Sequence, residues 1–355
     1  MDKKFAVVCA VGAFCGVAQS QSSVSLLGSL DVGWVSLRAA GRAPYVAMGA
    51  DGNSDSFIGL RGVEDLGGGV AASVWLEAAF RPDSGSGVAG ANPAAGPDAG
   101  LNFNRRSTVG IAGGLGELRL GRDYLPTFVN LTIAVHPFGV NGVGSAAQLF
   151  VPLRADGSAV HASGRASRAI NYFTPDFGRF SANIMYAAGE AAGAPGAGES
   201  EGRYVGGRLA YRDGPLTLAA ATGKSRHVAG NCTQGSLGMV YQVGPARLSY
   251  LRGDHKVGAV RTEVNMVGVQ FKLSHSGELR MALTELESGG PAGTASQIAL
   301  GYLHSLSRRT ALYGNYSMVD NKGAGLRFVV GGLAPGGVAP GGNSSGLEFG
   351  IRHSL

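Results

Sequence analysis

The sequence predicts an all-β chain: a transmembrane antiparallel β-barrel closed from sixteen strands. Three observations predict it. The chain begins with an export leader, the remainder alternates apolar with small or polar residues at period two, and its connections alternate between tight and long.

The leader comes first. Met1-Asp2-Lys3-Lys4 precedes an apolar run from Phe5 to Ala18, with small residues at Ala18 and Ser20, so 1–20 reads as a signal peptide and 21–355 as the mature barrel. The run is shorter than the ~20 residues of a spanning helix. Cys15 follows the bulky Phe14, which argues against a lipoprotein signal. Beyond position 20 no stretch approaches 18 consecutive apolar residues, so residence in a membrane requires strands. Cys9 and Cys15 leave with the leader; Cys232 remains, without an intramolecular disulfide partner, as a small strand residue.

Loss of Lys3, Lys4 and Asp2 takes the formal charge from +6 to +5. The basic residues are scattered rather than in runs, which argues against nucleic acid as a partner. Of 30 basic residues 24 are Arg, which suits fixed, always-ionised groups. Sixty Gly favour tightly spaced strands and turns over helices.

Alternation places strands at 22–37, 55–65, 69–81, 102–113, 116–124, 166–175, 178–188, 202–213, 214–224, 232–243, 244–254, 260–273, 277–287, 294–306, 308–319 and 345–355. Tight turns fall at Glu64-Asp65-Leu66-Gly67-Gly68, Asp213-Gly214, Val243-Gly244-Pro245 and four similar places. The long links are 38–54, 82–101, 125–165, 189–201, 225–231, 255–259, 288–293 and 320–344. One face of each strand is apolar, as at Val24, Leu26, Leu30, Val32 and Trp34, or Val70, Val74, Leu76 and Phe80. The other is small or polar, as at Ser25, Ser29 and Asp31, or Ser73, Glu77 and Arg81. Alternation alone does not separate a barrel from a soluble sandwich. The leader does, together with aromatic residues on the apolar parity (Trp34, Tyr186, Tyr211, Tyr250, Tyr302, Tyr316) and the need to leave no sheet edge unpaired.

Several segments resemble the general porins of Gram-negative bacteria, in particular the beta-proteobacterial type. They are Ser23-Val24-Ser25-Leu26-Leu27-Gly28, the run Ile58-Gly59-Leu60-Arg61-Gly62-Val63-Glu64-Asp65-Leu66-Gly67-Gly68-Gly69, Phe103-Asn104-Arg105-Arg106, Leu120-Gly121-Arg122 and Pro137-Phe138-Gly139. Further on come Tyr172-Phe173-Thr174-Pro175-Asp176-Phe177-Gly178, Asp320-Asn321-Lys322 and Gly350-Ile351-Arg352-His353. The resemblance implies an outer-membrane homotrimer of sixteen-stranded barrels that passes small hydrophilic solutes and anions. Outer-membrane lipid, lipopolysaccharide and the barrel-insertion machinery are its expected partners.

It also implies that the third long link, about 125–165, folds inward and narrows the lumen, where wall arginines face acids. Arg61 and Arg105 fall in the matching wall motifs. Arg165 and Arg168 open the sixth strand, Arg165 on the lumenal parity, and Arg119 shares the lumenal parity of Glu117. Arg122 has the opposite parity and is expected to anchor the loop or a subunit contact. His136 stands where the family often has an acid before Pro-Phe-Gly, and Phe57 where it often has Arg, so the loop keeps only Asp123 and Asp156. Arginines without facing carboxylates predict anion preference, moderated by Asp31, Glu77 and Glu348. The family's terminal aromatic is Leu355 here, apolar on the correct parity.

No cofactor, metal or catalytic role is expected. The seven histidines lack metal-ligand spacing, no nucleophile motif accompanies a His136–Asp123 pair, and the Gly-rich turns join strands rather than opening helices. The remaining alternatives are a substrate-specific channel and a non-conducting structural or adhesive barrel.

Overall fold

The computed structural model describes residues 22–88, 98–157, 164–189, 202–227, 230–289, 293–323, 325–332 and 337–355. The expected leader at 1–20 and His161 lie outside them.

The period-two segments form strands in chain order: β1 (Ser23–Ala39), β2 (Tyr45–Ala50), β3 (Phe57–Gly67), β4 (Val70–Ala79), β5 (Gly87–Val88), β6 (Asp98–Ala99), β7 (Arg106–Gly113), β8 (Gly116–Tyr124), β9 (Arg165–Phe173) and β10 (Phe180–Ala187). They continue as β11 (Tyr204–Asp213), β12 (Leu216–Ser225), β13 (Cys232–Val243), β14 (Ala246–Val257), β15 (Val260–Lys272), β16 (Gly277–Ser288), β17 (Thr294–Ser305), β18 (Thr310–Lys322) and β19 (Ser344–Ser354). β5 and β6 make a separate ribbon; all the others join one antiparallel sheet.

That sheet closes on itself. β1 pairs with β19 from Ser29↔Ser354 to Ala39↔Ser344 and, on its other side, with β3 over Ser23–Ser29 and with β2 over Val32–Leu37. β2 and β3 therefore share one place in the wall, and sixteen places complete the barrel. Closure is what hydrocarbon demands, since each unpaired backbone group there costs several kcal/mol.

Three sequence expectations change, the first being the long link 255–259, which is only the two-residue turn 258–259 because β14 runs to Val257 and β15 starts at Val260. The link 38–54 is not loop throughout, because it holds β2; between β2 and β3 the chain turns inward, and Asp31 Oδ2 accepts the N–H groups of Asn53 (2.9 Å) and Ser54 (2.7 Å). The strand expected at 102–113 starts only at Arg106. Asn104 explains this: its Oδ1 accepts the Ala79 N–H (2.9 Å) and its Nδ2 donates to the Val88 carbonyl (2.6 Å), which holds residues 102–104 outside the ladder.

On one rim the turns are tight, and Gly214 and Gly244 open two-residue turns at φ 53, a value a Cβ would disfavour. The outer face carries the predicted apolar parity. Ile184 is 61 % exposed and Phe349 53 %, as suits side chains that meet lipid.

The inner face is not polar all round, as alternation alone implied. On β13 to β18 it carries Val240, Leu251, Val264, Met266, Leu286 and Val319, all buried. They pack in one apolar core with Leu131, Val135, Phe138, Leu149 and Phe150 of the third long link, and with Leu326, Phe328 and Val330 of the last one. A lumen-facing residue must be polar only where water reaches it, and here a loop covers the wall. The core of the molecule thus sits inside the barrel, on one side.

Candidate functional site

The covering loop is built to stay against that side. Pro126 opens a short helical turn (Pro126–Phe128) that continues through Val129–Ile133, and a second helical turn spans Ala147–Phe150. Inward glycines seat it. A Cβ on Gly238 would lie 2.6 Å from Val135 Cγ2, one on Gly268 2.4 Å from Pro137 Cγ, and one on Gly301 2.6 Å from Phe138 Cε1. Polar latches add to these seats. Gln297 Nε2 donates to the carbonyls of Val143 (3.4 Å), Gly144 (3.4 Å) and Ser145 (3.1 Å), and Ser317 Oγ donates to that of Val143 (2.5 Å). Glu348 Oε2 accepts the Val143 N–H (3.1 Å). Closer to the loop's start, Arg208 Nε donates to Asn130 Oδ1 (3.1 Å) and Arg247 to the Ala134 carbonyl (3.1 Å).

With the loop on β11 to β19, the inner faces of β3, β4, β7, β8 and the start of β9 border the open passage. Five arginines gather there. Arg105 donates to Asp55 Oδ2 (2.5 Å), Glu77 Oε2 (3.3 Å) and the Tyr124 hydroxyl (2.8 Å). Arg106 donates to Asp123 Oδ1 (2.9 Å). Arg119 makes a two-pronged pair with Glu117 (2.7 and 2.7 Å) and reaches Asp123 Oδ2 (3.4 Å). Arg165 donates to the same Tyr124 hydroxyl (2.8 Å). Arg61 is exposed to the lumen and, among the described residues, has no carboxylate within ion-pair distance.

The expectation that the arginines lack facing carboxylates is therefore corrected. Asp55, Glu77, Glu117 and Asp123 face them. These acids come from the wall itself and from the inturned 51–56 segment, not from the loop's middle where they were sought. On this wall five guanidiniums face four carboxylates, Asp51 lies a few residues from Asp55, and among the described residues Arg61 has no acid within ion-pair distance. Burial pushes the Asp55 carboxyl up, but the charge and hydrogen bond of Arg105, with Asn141, outweigh it and hold it below the usual range. Asp51, a few residues before, is pushed up to about 6 by burial, against its hydrogen bonds to Ser56.

Of the residues singled out in the sequence, Arg61, Arg105, Arg119 and Arg165 come together on this wall. Arg168 stands apart: its backbone is at φ 52, it is exposed on the outward parity of Ile170, and its guanidinium donates to the Gly189 carbonyl (3.3 Å). His136 does not border the passage. It is buried inside the loop's packing, its Nδ1 accepts the Phe138 N–H (3.1 Å), and burial alone pushes it down to about 4. Asp123 is held by Arg106 and Arg119, so no His136–Asp123 relay forms. Arg122, expected to anchor the loop or a subunit contact, donates instead to the Asn104 carbonyl (2.7 Å) before β7 and to Ser167 Oγ (2.8 Å) on β9.

Sequence reasoning missed Arg106, Asp55, Trp75 and Tyr124. Arg106 shares the lumenal parity of Thr108 and Gly110, and Trp75 lies between Ser73 and Glu77 on the polar parity of β4. An aromatic among polar lumenal positions was the available signal. Beneath the cluster a recess of about 280 Å³ is bordered by Arg106, Arg119, Asn171, Phe173, Asn183 and Arg208.

Comparison with known proteins agrees with this geometry. A family model described as Gram-negative porin matches residues 6–324. The chain is 38% identical to Outer membrane porin protein 32 of Delftia acidovorans, over 99% of its own length and 100% of that protein's. It is 27% identical to Major outer membrane protein P.IB of Neisseria gonorrhoeae over 50% of this chain and 46% of that one. Among solved structures, an anion-selective porin from Comamonas acidovorans superposes with a TM-score of 0.82 at 35% identity, covering 94% of this chain and 100% of the other. OmpT, an outer membrane protein of Vibrio cholerae, shares the fold with a TM-score of 0.64 at 14% identity, covering 94% of this chain and 98% of its own.

Proposed function

The chain belongs to the Gram-negative porin family and resides in the outer membrane, and on that premise we propose that it passes small hydrophilic solutes by diffusion, anions preferentially. The observation that carries the sign of the preference is the arginine wall, where Arg61, among the described residues, has no acid within ion-pair distance. The anion-selective porin from Comamonas acidovorans supports the same sign. Diffusion needs a hydrated passage and weak binding, because a solute that binds tightly does not leave. Selectivity then follows from the field. One unit charge about 4 Å away is worth about 1 kcal/mol in bulk water and about 4 kcal/mol at an effective dielectric constant of about 20.

The test is a reversal potential in a salt gradient across a planar bilayer, for the native protein and Arg61→Gln. Native protein prefers chloride, and the variant loses roughly 5-fold of the anion-to-cation permeability ratio, the equivalent of about 1 kcal/mol. Cation preference in the native protein sinks the reading. Arg61 is a cleaner target than Arg105, whose removal leaves Asp55 partly buried without its counter-ion and Glu77 with only Arg106 at 4.0 Å.

The reading extends to the leader, the assembly and the surroundings. Residues 1–20 act as a signal peptide removed after Ser20, the barrels associate as homotrimers, and lipopolysaccharide and the barrel-insertion machinery are their partners. Arg168 and His136, expected at the constriction, take no part in this reading; Arg61, Arg105, Arg119 and Arg165 do. The conduction it describes involves no bond-making step.

A further inference from the structure

Each of the five arginines on the wall lies over an aromatic ring. Arg61 lies over Trp75 (4.9 Å to the centroid), Arg105 over Phe57 (4.8 Å), Arg106 over Trp75 (4.2 Å) and Tyr124 (5.4 Å), Arg119 over Phe173 (4.2 Å), and Arg165 over Tyr124 (4.3 Å). An aromatic face and a carboxylate both hold a guanidinium, but with different electrical results. The carboxylate cancels the cation's net charge. The ring's quadrupole attracts the cation and adds no formal charge, so the field in the lumen stays positive.

Trp75 is the ring where this difference matters most. It stands directly opposite Arg61 across the β3–β4 ladder, so the two side chains are immediate neighbours. Arg106 also has Asp123, whereas Arg61 has no acid within ion-pair distance among the described residues. The indole's placement is not explained by its own hydrogen bonding, because Trp75 Nε1 is buried without a partner. The ring is in place for its face. Glu77 lies two residues along β4 on the same inward parity, a diagonal neighbour of Arg61 at roughly 7–8 Å. An arginine side chain spans that distance with ease, so an unbacked Arg61 can turn to Glu77 and lose its effect on the lumen.

From this geometry we infer that Trp75 is a positioning residue for ion selectivity, holding Arg61 as an uncancelled cation in the passage. The inference rests on the arginine-wall reading above, but its test does not depend on the starting sign. Trp75→Leu shifts the permeability ratio toward cations by roughly 2- to 5-fold, whatever the native value. Trp75→Phe, which keeps a ring face, restores at least half of that shift. In an Arg61→Gln background the effect of Trp75→Leu falls to less than half, because the cation it positions is gone. Single-channel conductance in 1 M salt, where fields are screened to about 3 Å, reports any change of width separately. Should Trp75→Leu not yield folded barrels, Trp75→Met, flexible and without a ring, takes its place. An unchanged ratio, a Phe variant that behaves as Leu does, or an equal shift without Arg61 overturns the inference. Native cation preference instead overturns the earlier reading and leaves the direction of the Trp75 shift as its own result.

Discussion

Single residues in this lumen differ in whether their charge is free to act. Asp51 illustrates one that changes with pH. Its carboxyl, raised to about 6 by burial, is favoured in its protonated form by the fold. Its contribution to stability is therefore fully present below its ordinary pKa of 3.8 and lost as pH rises through about 6. For selectivity the sign is the reverse of intuition about acids. As pH falls through about 6, a negative charge beside Asp55 disappears and anion preference increases. Reversal potentials between pH 5 and pH 7 measure this, and Asp51→Asn flattens the profile. His136, pushed down to about 4, does not titrate in that window, so a profile unchanged by Asp51→Asn would count against the assignment. None of this was legible in the sequence. Asp51 and Asp55 sit in a Gly/Asn/Ser-rich link that composition marks only as loop, and the inward turn that brings Asp55 to Arg105 is set by Asp31, which lies 22 and 23 residues before the Asn53 and Ser54 it holds.

At the scale of elements, the strands were legible because one physical rule, lipid on one side of a two-residue repeat, acts on every one of them. The pairing of β14 with β15, for instance, joins runs that read as alternating before any partner was known. The loop was not legible. Its seats are glycines on the inward parity, such as Gly268 on β15, which read as small residues suited to a crowded sheet. Only the fold shows that Pro137, more than a hundred positions away, needs the missing side chain. Gly268→Val places a branched side chain where Pro137 Cγ now lies, 2.4 Å from the Cβ position. The strand tolerates valine well, so the displacement falls on the loop. We expect larger and noisier single-channel conductance, with anion preference retained. A variant with native conductance would mean that the loop is not held by this contact.

For the whole molecule, the arginine wall explains why composition pointed to fixed cations yet did not give their net effect. Parity with Glu117 places Arg119 on the inward face, but parity does not reveal that the two form an ion pair. A preference carried by a field, with most of the wall's charges paired, also predicts strong dependence on ionic strength. The Debye length falls from about 10 Å at 0.1 M to about 3 Å at 1 M, so anion preference measured between dilute baths weakens sharply between concentrated ones. A preference that persists unchanged in molar salt would require selection by binding instead of field. The apolar core lies on one side of the lumen and the arginine cluster on the other, while Arg208 and Arg247 on the plug side latch the loop. How large a solute fits is thus governed by the half of the sequence that holds the plug, whereas the arginine cluster stands on the half that does not. Mutation can retune sieving and ionic taste one at a time, a freedom that a ring of mixed groups around a central hole would not allow.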